Sequence, residues 1–323
     1  MTKIAVIDDW QGVARGSTDW SVLEARAEVT FFDDALADED DAAGRLADFD
    51  VIMTMRERTP FPASLIARLP KLRMLSITGS RNPSIDLRAL EARGIVATKT
   101  SFGEGADTAA AELALGLMLA AARHVPAGDA NMRKGGFQAG IPLGFVLRGR
   151  TIGLIGLGKL GTAMATYCKA LGMRVLAWSP NLTEERAQSA SVEFAAKDDL
   201  LAGSDVISIH MVLAPSTRGM IGRRELERMK PGAILVNTSR GPLVDEAAMV
   251  ELAAAGKIVP ALDVYDREPL PADHPLRHVQ NAVLLPHLGF CVRENFSAFY
   301  QQSVENVLAF LDGAPIRLLE ADK

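Results

Sequence analysis

The 323-residue chain reads as an α/β protein built from two doubly wound parallel sheets. Three observations lead there. Short β-branched runs alternate with helical patterns from the first residues on, which is the rhythm of parallel βα units. The rhythm comes in two series, parted by a Gly-rich connection from Gly135-Gly136 to Gly149. The length, at about 150 residues per domain, allows two separate cores.

In the first series, strands are predicted at 3–7, 29–32, 51–53, 74–77 and, briefly, 95–97. Helices between them include 64–69 and 87–92, the second ended by Arg93-Gly94 in the manner of a glycine C-cap. Residues 1 to about 100 thus form a first α/β unit. The segment 108–123 is apolar nearly all round, so its helix must be covered on most faces, between the two domains or against a second subunit. The second series has strands at 151–155, 174–178, 205–210, 233–237, 258–263 and 282–285. Helices or helical turns separate them at about 160–171, 184–190, 198–202, 223–229 and 245–255. Six strands with intervening helices suit a doubly wound dinucleotide-binding sheet. A last helical pattern over 295–311, closed by Asp312-Gly313, is too short to be a domain and has to pack on an existing one.

Composition narrows the function. With 48% hydrophobic and 23% charged residues the chain is an ordinary globular protein rather than a disordered or fibrous one. Its net charge is −5, and no segment gathers Lys and Arg into a stripe that could neutralise phosphates, so nucleic acid is not an expected partner. Cys168 and Cys291 lack C-x-x-C or Cys/His metal spacing; they read as buried free thiols in a reducing compartment, with no metal. Met1 runs directly into the strand-like Ile4-Ala5-Val6-Ile7 without a signal sequence, and the apolar stretch 106–122 carries Asp107 and Glu112. That stretch falls short of the ~20 residues a bilayer demands. A cytoplasmic protein without a membrane partner is expected.

The strongest local signal is Gly153-Leu154-Ile155-Gly156-Leu157-Gly158-Lys159-Leu160-Gly161, where a buried strand runs into G-x-G-x-x-G and opens a helix. Gly156 makes the tight turn, Gly158 lets backbone approach a pyrophosphate, and Gly161 lets the helix pack closely on the strand. The pyrophosphate then meets unpaired N–H groups at the helix N-terminus. The acidic residue expected about 20 residues on, which binds the ribose hydroxyls of NAD, is missing. Ser179 occupies its place in Trp178-Ser179-Pro180-Asn181. NADP is therefore no longer repelled, yet no Arg at 179–181 selects it, and Arg186 either reaches in or stays solvated. NAD is the reading adopted.

Ligands of open α/β sheets bind beyond the carboxyl ends of the strands. Arg240 follows the strand 233–237, Asp263 ends the next one before Glu268-Pro269, and His287 follows 282–285, so all three fall on the edge of the glycine motif. Reduction of a 2-oxo acid needs such a set: a guanidinium to hold carboxylate and ketone oxygen, and an imidazolium to deliver a proton as hydride arrives. A carboxylate such as Glu268 would fix the ring's orientation.

With these residues in place, the chain resembles the D-isomer-specific 2-hydroxyacid dehydrogenases of the phosphoglycerate, glycerate and formate dehydrogenase superfamily, almost end to end. The residues that carry the likeness are Gly156 to Gly161, the run from Met229 to Glu246 with its Asn237-Thr238-Ser239-Arg240-Gly241, Ala261-Leu262-Asp263-Val264-Tyr265-Asp266-Arg267-Glu268-Pro269, and Pro286-His287-Leu288-Gly289. The resemblance implies a Rossmann domain over 101–290 and a flavodoxin-like substrate domain from 1–100 and 291–323, closing over a cleft. It implies a triad in which Arg240 binds substrate, His287 is general acid/base and Glu268 pairs with it. It also implies that Asp263 lies near the nicotinamide carboxamide, that Thr217 and Thr238 to Arg240 line the cofactor, and that Lys159-Leu160 back the pyrophosphate. A homodimer through the 104–123 helix region is expected on the same ground.

Departures from the family bear on substrate. The loop after 74–77 usually reads like G-V-G-x-D-x-I-D, its amides gripping the substrate carboxylate; here it is Gly79-Ser80-Arg81-Asn82-Pro83-Ser84-Ile85-Asp86. Arg81 adds a cation for a second acidic group or points to solvent, and both readings stay open. Arg56, after the strand 51–53, is a second candidate anion contact. Val212 stands where a proline is common, and the serine-feedback module of some phosphoglycerate dehydrogenases is expected to be absent after residue 323. Glyoxylate, hydroxypyruvate, 3-phosphoglycerate and bulkier oxo acids all remain open as substrates. A rival reading is an NADH-sensing binding protein like the corepressors that share this fold, against which stands the lack of a long tail or docking extension.

Overall fold

The structure, a computed structural model, describes residues 1–321. It contains two compact units: Met1–Asp107 with the chain from Cys291 on, and Thr108–Phe290.

The first unit carries β1 (Thr2–Val6), β2 (Ala27–Phe31), β3 (Val51–Thr54), β4 (Met74–Ile77) and β5 (Val96–Lys99). They pair in parallel in the order β2-β1-β3-β4-β5. This is the flavodoxin-like order, with its switch point between β1 and β3. Every residue of β3 and β4 is buried, as both faces of the sheet are covered, and this is why these strands read as unbroken apolar runs. The helix Arg293–Leu311 belongs to this unit, burying Phe299, Tyr300 and Val307. Ser76 Oγ donates to Ser303 Oγ at 3.2 Å and Asn306 Nδ2 to Thr98 Oγ1 at 3.2 Å, so the C-terminal helix is bound to β4 and β5 by polar contacts as well as by packing.

The second unit holds β6 (Thr151–Ile155), β7 (Arg174–Trp178), β8 (Glu193–Phe194), β9 (Val206–Ile209), β10 (Ala233–Asn237), β11 (Ile258–Leu262) and β12 (Val283–Leu284). The parallel order β12-β11-β10-β9-β6-β7-β8 is that of a Rossmann sheet, its switch point between β6 and β9. Six strands are expected from the sequence; the seventh, β8, pairs with β7 through only two residues, both exposed. A two-residue edge strand has no apolar alternation to read. The apolar helix Ala109–Ala122 lies against this sheet, where Ala114, Leu117, Met118 and Ala121 join Leu154, Ile234 and Val236 in one core. Its exposed positions are Glu112, Gly116 and Leu119, one narrow face at i, i+4 and i+7, with Leu119 37% exposed, so the helix is covered on most sides as expected.

Three further corrections concern local signals. The helix Glu39–Leu46 was not expected, although Asp38 caps it by accepting from Asp41 N and its first turn is acidic throughout. The helix Val125–Arg133 precedes the Gly-rich connection and buries none of its residues, so no apolar stripe announces it. Cys168 is buried as expected, its thiol pushed up to about 12 by burial, but Cys291 is only half-buried, with its Sγ 4.0 Å from Arg58 Nη2. Among the described residues no single helix is long and apolar enough to cross a membrane.

Candidate active site

The glycine turn follows β6 at the switch point of the second unit. Gly156 has φ +102°, and a Cβ there would collide with the His210 carbonyl. A Cβ on Gly161 would strike the Gly156 carbonyl, which is how the helix Lys159–Ala170 starts directly under the turn. Gly158 differs: it is exposed, caps that helix, and a Cβ on it would meet nothing within 4 Å. Two of the three glycines thus serve close packing within the chain. The third faces open space, as a ligand-approach position should. Lys159 and Leu160, the first two helical residues, border the same opening.

Neighbouring loops complete this edge. Ser179, half-buried after β7, accepts through its carbonyl from Leu182 N at 3.1 Å. Arg186 Nη1 donates to the Asn181 carbonyl at 3.0 Å, which ties it to the loop after β7 rather than leaving it to solvent alone. Thr217, 7% exposed, braces its own loop: Oγ1 donates to Val212 O at 2.8 Å and accepts from Ala214 N at 2.8 Å. After β10, Thr238 Oγ1 is buried without a hydrogen-bond partner, and Ser239 Oγ donates to Ile209 O at 2.8 Å. The orphaned hydroxyl and the open glycine fit a dinucleotide laid across this edge. His210, after β9, was not singled out by the sequence; burial pushes its imidazole down to about 4, so it stays neutral under the turn.

Arg240, Asp263 and His287 follow β10, β11 and β12, three adjacent strands. His287 Nδ1 stands 2.5 Å from Glu268 Oε2, the pair one-third exposed or less. Arg240 is half-buried, and its Nη1 donates to Ser239 O at 2.7 Å. Asp263 is turned onto the chain itself: fully buried, its carboxylate accepts from Leu288 N at 2.7 Å and Gly289 N at 2.8 Å. Burial pushes this carboxyl above the usual range, and the two amides oppose the shift. Its carbonyl also accepts His287 N at 2.9 Å. The direct contacts of Asp263 therefore hold the His287 turn, a role that the expected nicotinamide contact did not anticipate. Tyr265 is a further brace that the sequence reading passed over. Its N–H donates to Glu268 Oε1 at 2.9 Å and its hydroxyl to Leu285 O at 2.9 Å, while a Cβ on Gly241 would collide with its carbonyl.

In the first unit, Asp8, Arg56 and the 79–81 loop follow β1, β3 and β4, on one sheet edge. Asp8 is fully buried, and burial pushes its carboxyl to about 6 against the Thr59 hydrogen bond. The Arg56 side chain is 14% exposed and its Nη2 stands 3.4 Å from Glu57 Oε1. Of the amides expected to grip a substrate, that of Gly79 already donates to Thr100 Oγ1 at 2.8 Å, which leaves the expectation with the exposed Ser80 and Arg81.

Comparison with known proteins identifies the family. The family model of the D-isomer specific 2-hydroxyacid dehydrogenase, NAD binding domain, matches residues 115–289. A D-3-phosphoglycerate dehydrogenase of Archaeoglobus fulgidus is 39% identical over 266 residues, 82% of this chain and 50% of the relative, so the chain spans about half the length of that protein. A hydroxypyruvate reductase of Blautia hydrogenotrophica is 30% identical across 98% of this chain and 99% of its own length. The crystal structure of a phosphoglycerate oxidoreductase from Vibrio cholerae superposes with a TM-score of 0.91 at 36% identity, covering 97% of this chain and all of that one. On the family match over more than half its residues and on these relatives, the chain belongs to the D-isomer specific 2-hydroxyacid dehydrogenases, a family of nicotinamide-linked oxidoreductases.

Proposed function

We propose that this chain interconverts a small 2-oxo acid and its D-2-hydroxy acid, with His287 as general acid/base, Glu268 as its partner and Arg240 as the substrate-binding cation. The observation that carries the reading is the 2.5 Å approach of His287 Nδ1 to Glu268 Oε2, on the same sheet edge as the glycine turn. The residues of that edge would hold a nicotinamide coenzyme, which when bound would supply or receive the hydride at the substrate C2. An Nδ1–H donated to Glu268 fixes the ring and leaves Nε2 to hand a proton to the ketone oxygen during reduction, and to take it back during oxidation. The Arg240 guanidinium has the planar fork that suits a carboxylate and its neighbouring ketone oxygen.

Gly156, Gly158, Lys159, Leu160 and Gly161 would hold the pyrophosphate, with Ser179, Thr217, Thr238 and Ser239 along the rest of the cofactor. NAD is the proposed coenzyme: no arginine occupies positions 179–181, and the Arg186 guanidinium that reaches this loop already donates to the Asn181 carbonyl. Arg56, Ser80 and Arg81 are proposed contacts for the acid's carboxylate, and the two units are proposed to divide the work as cofactor-binding and substrate-binding domains. A homodimer and a cytoplasmic setting belong to the same reading. The dimer is supported by the apolar side chains left exposed from Leu119 through Val125, Met132, Phe137 and Leu143 to Val146.

The test is a panel of 2-oxo acids, glyoxylate and hydroxypyruvate among them, assayed with NADH and NADPH in parallel, together with 3-phosphoglycerate and NAD in the oxidative direction. Turnover of at least one acid with NADH is expected. No turnover of any acid with either coenzyme would refute the proposal, and a preference for NADPH would overturn the coenzyme assignment alone.

A further inference from the structure

Arg56 sits at φ +53°, in the left-handed region that a side chain with a Cβ rarely adopts. A loop that merely needs such a turn uses glycine, or asparagine, at little cost. Here a bulky residue is kept there by its surroundings. Arg56 N donates to Thr78 Oγ1 at 2.7 Å, and Asn82 Nδ2 donates to Arg56 O at 2.7 Å, so both backbone polar groups of the strained residue are bound by side chains of the loop after β4. Thr78 is 1% and Asn82 6% exposed. Asn82 is itself locked, its Oδ1 accepting from Ser84 N at 3.0 Å and Ser84 Oγ at 2.6 Å. The guanidinium then lies along the same loop: Nη1 donates to Thr78 O at 3.2 Å, and a Cβ on Gly79, whose φ is +86°, would collide with it.

Backbone strain persists where neighbouring groups over-determine it, and it collects at functional positions. We infer that Thr78 and Asn82 are positioning residues: they hold Arg56 left-handed so that its guanidinium is presented to the carboxylate of the 2-oxo acid. The inference rests on the reading of Arg56 as an anion contact. It also accounts for Asn82 in a loop that departs from its family, because only a side chain with both a donor and an acceptor can bind the Arg56 carbonyl and Ser84 together.

The experiment is steady-state kinetics with NADH and glyoxylate or hydroxypyruvate, whichever the wild type turns over. Thr78→Val keeps the shape and removes the acceptor. It is expected to raise KM for the acid about tenfold, with kcat and the KM for NADH within about twofold of wild type. Thr78→Ser, which keeps the hydroxyl, is expected to restore the KM. Arg56→Ala should raise the same KM, and adding Thr78→Val to it should change nothing further, because the two act through one contact. If Thr78→Val does not fold, Asn82→Ala carries the same expectations. A normal KM for the acid in the folded Thr78 or Asn82 variant, beside a raised one in Arg56→Ala, overturns the inference while the Arg56 reading stands. A parallel rise in the KM for NADH overturns it too, since a general loosening would do that. An unchanged KM in Arg56→Ala removes the anion contact itself, and the inference with it.

Discussion

His287 shares with Arg56 a left-handed backbone, at φ +53°, and is held from both sides. Its N–H and the two amides after it are bound by Asp263, while the Tyr265 hydroxyl holds Leu285 two residues before it. Its ring is thus aimed by backbone contacts as well as by Glu268. His287→Ala is expected to lower kcat by a factor on the order of 10²–10⁴, the typical worth of a positioned general acid. NADH affinity, read by fluorescence titration, should stay within about twofold, because the coenzyme is proposed to be held by the glycine turn and the loops after β7, β9 and β10 rather than by the imidazole. Wild-type turnover in this variant would take His287 out of the reaction. Arg240, Glu268 and His287 were legible as residues because each ends a recognisable strand or sits in a specific motif. Thr78, Asn82 and Tyr265 were not, because their roles consist of hydrogen bonds to partners that only folding brings near, such as Arg56, 22 positions from Thr78.

In the turn from β6 into the helix Lys159–Ala170, Gly156 and Gly161 are needed for close packing, while Gly158 is left open toward the proposed coenzyme. Gly161→Ala sets a methyl against the Gly156 carbonyl, a backbone atom that cannot rotate away. A loss of about 2 kcal/mol in unfolding free energy is expected, read by denaturant titration. Gly158→Ala meets no atom of the protein, so its stability should match the wild type. Its methyl would instead intrude where a pyrophosphate approaches, and the KM for NADH is expected to rise about tenfold with little change in the KM for the acid. Equal stability losses in the two variants would contradict this division. The motif was plain in the sequence; which glycine does what depends on where the His210 and Gly156 carbonyls end up. Among the remaining elements, long buried strands such as β3, β4, β6 and β10 were readable from their apolar runs, whereas β8 and the helix Val125–Arg133 bury too little to leave a pattern.

At the scale of the whole molecule, one stretch of chain exposes several large apolar side chains: Phe137 is 72%, Leu143 97% and Val146 69% exposed. A second copy of the chain is the expected cover. Sedimentation should give a dimer, and the double substitution Phe137→Asp with Leu143→Asp should give a monomer with an unchanged far-UV spectrum, because neither side chain is part of a core. A wild-type monomer would remove the proposed assembly, and a dimeric double variant would move the interface elsewhere.

Periodicity and turn chemistry are local, so the amino-acid order was enough to place two parallel α/β series, the glycine turn, and an arginine, a carboxylate and a histidine on one edge. The inward turn of the Asp263 carboxylate, the hydrogen bonds that tie Arg293–Leu311 to β4 and β5, and the bracing of Arg56 are different in kind. Each depends on burial and on hydrogen bonds between distant residues, whose energies exist only once the backbone has brought them within about 3 Å.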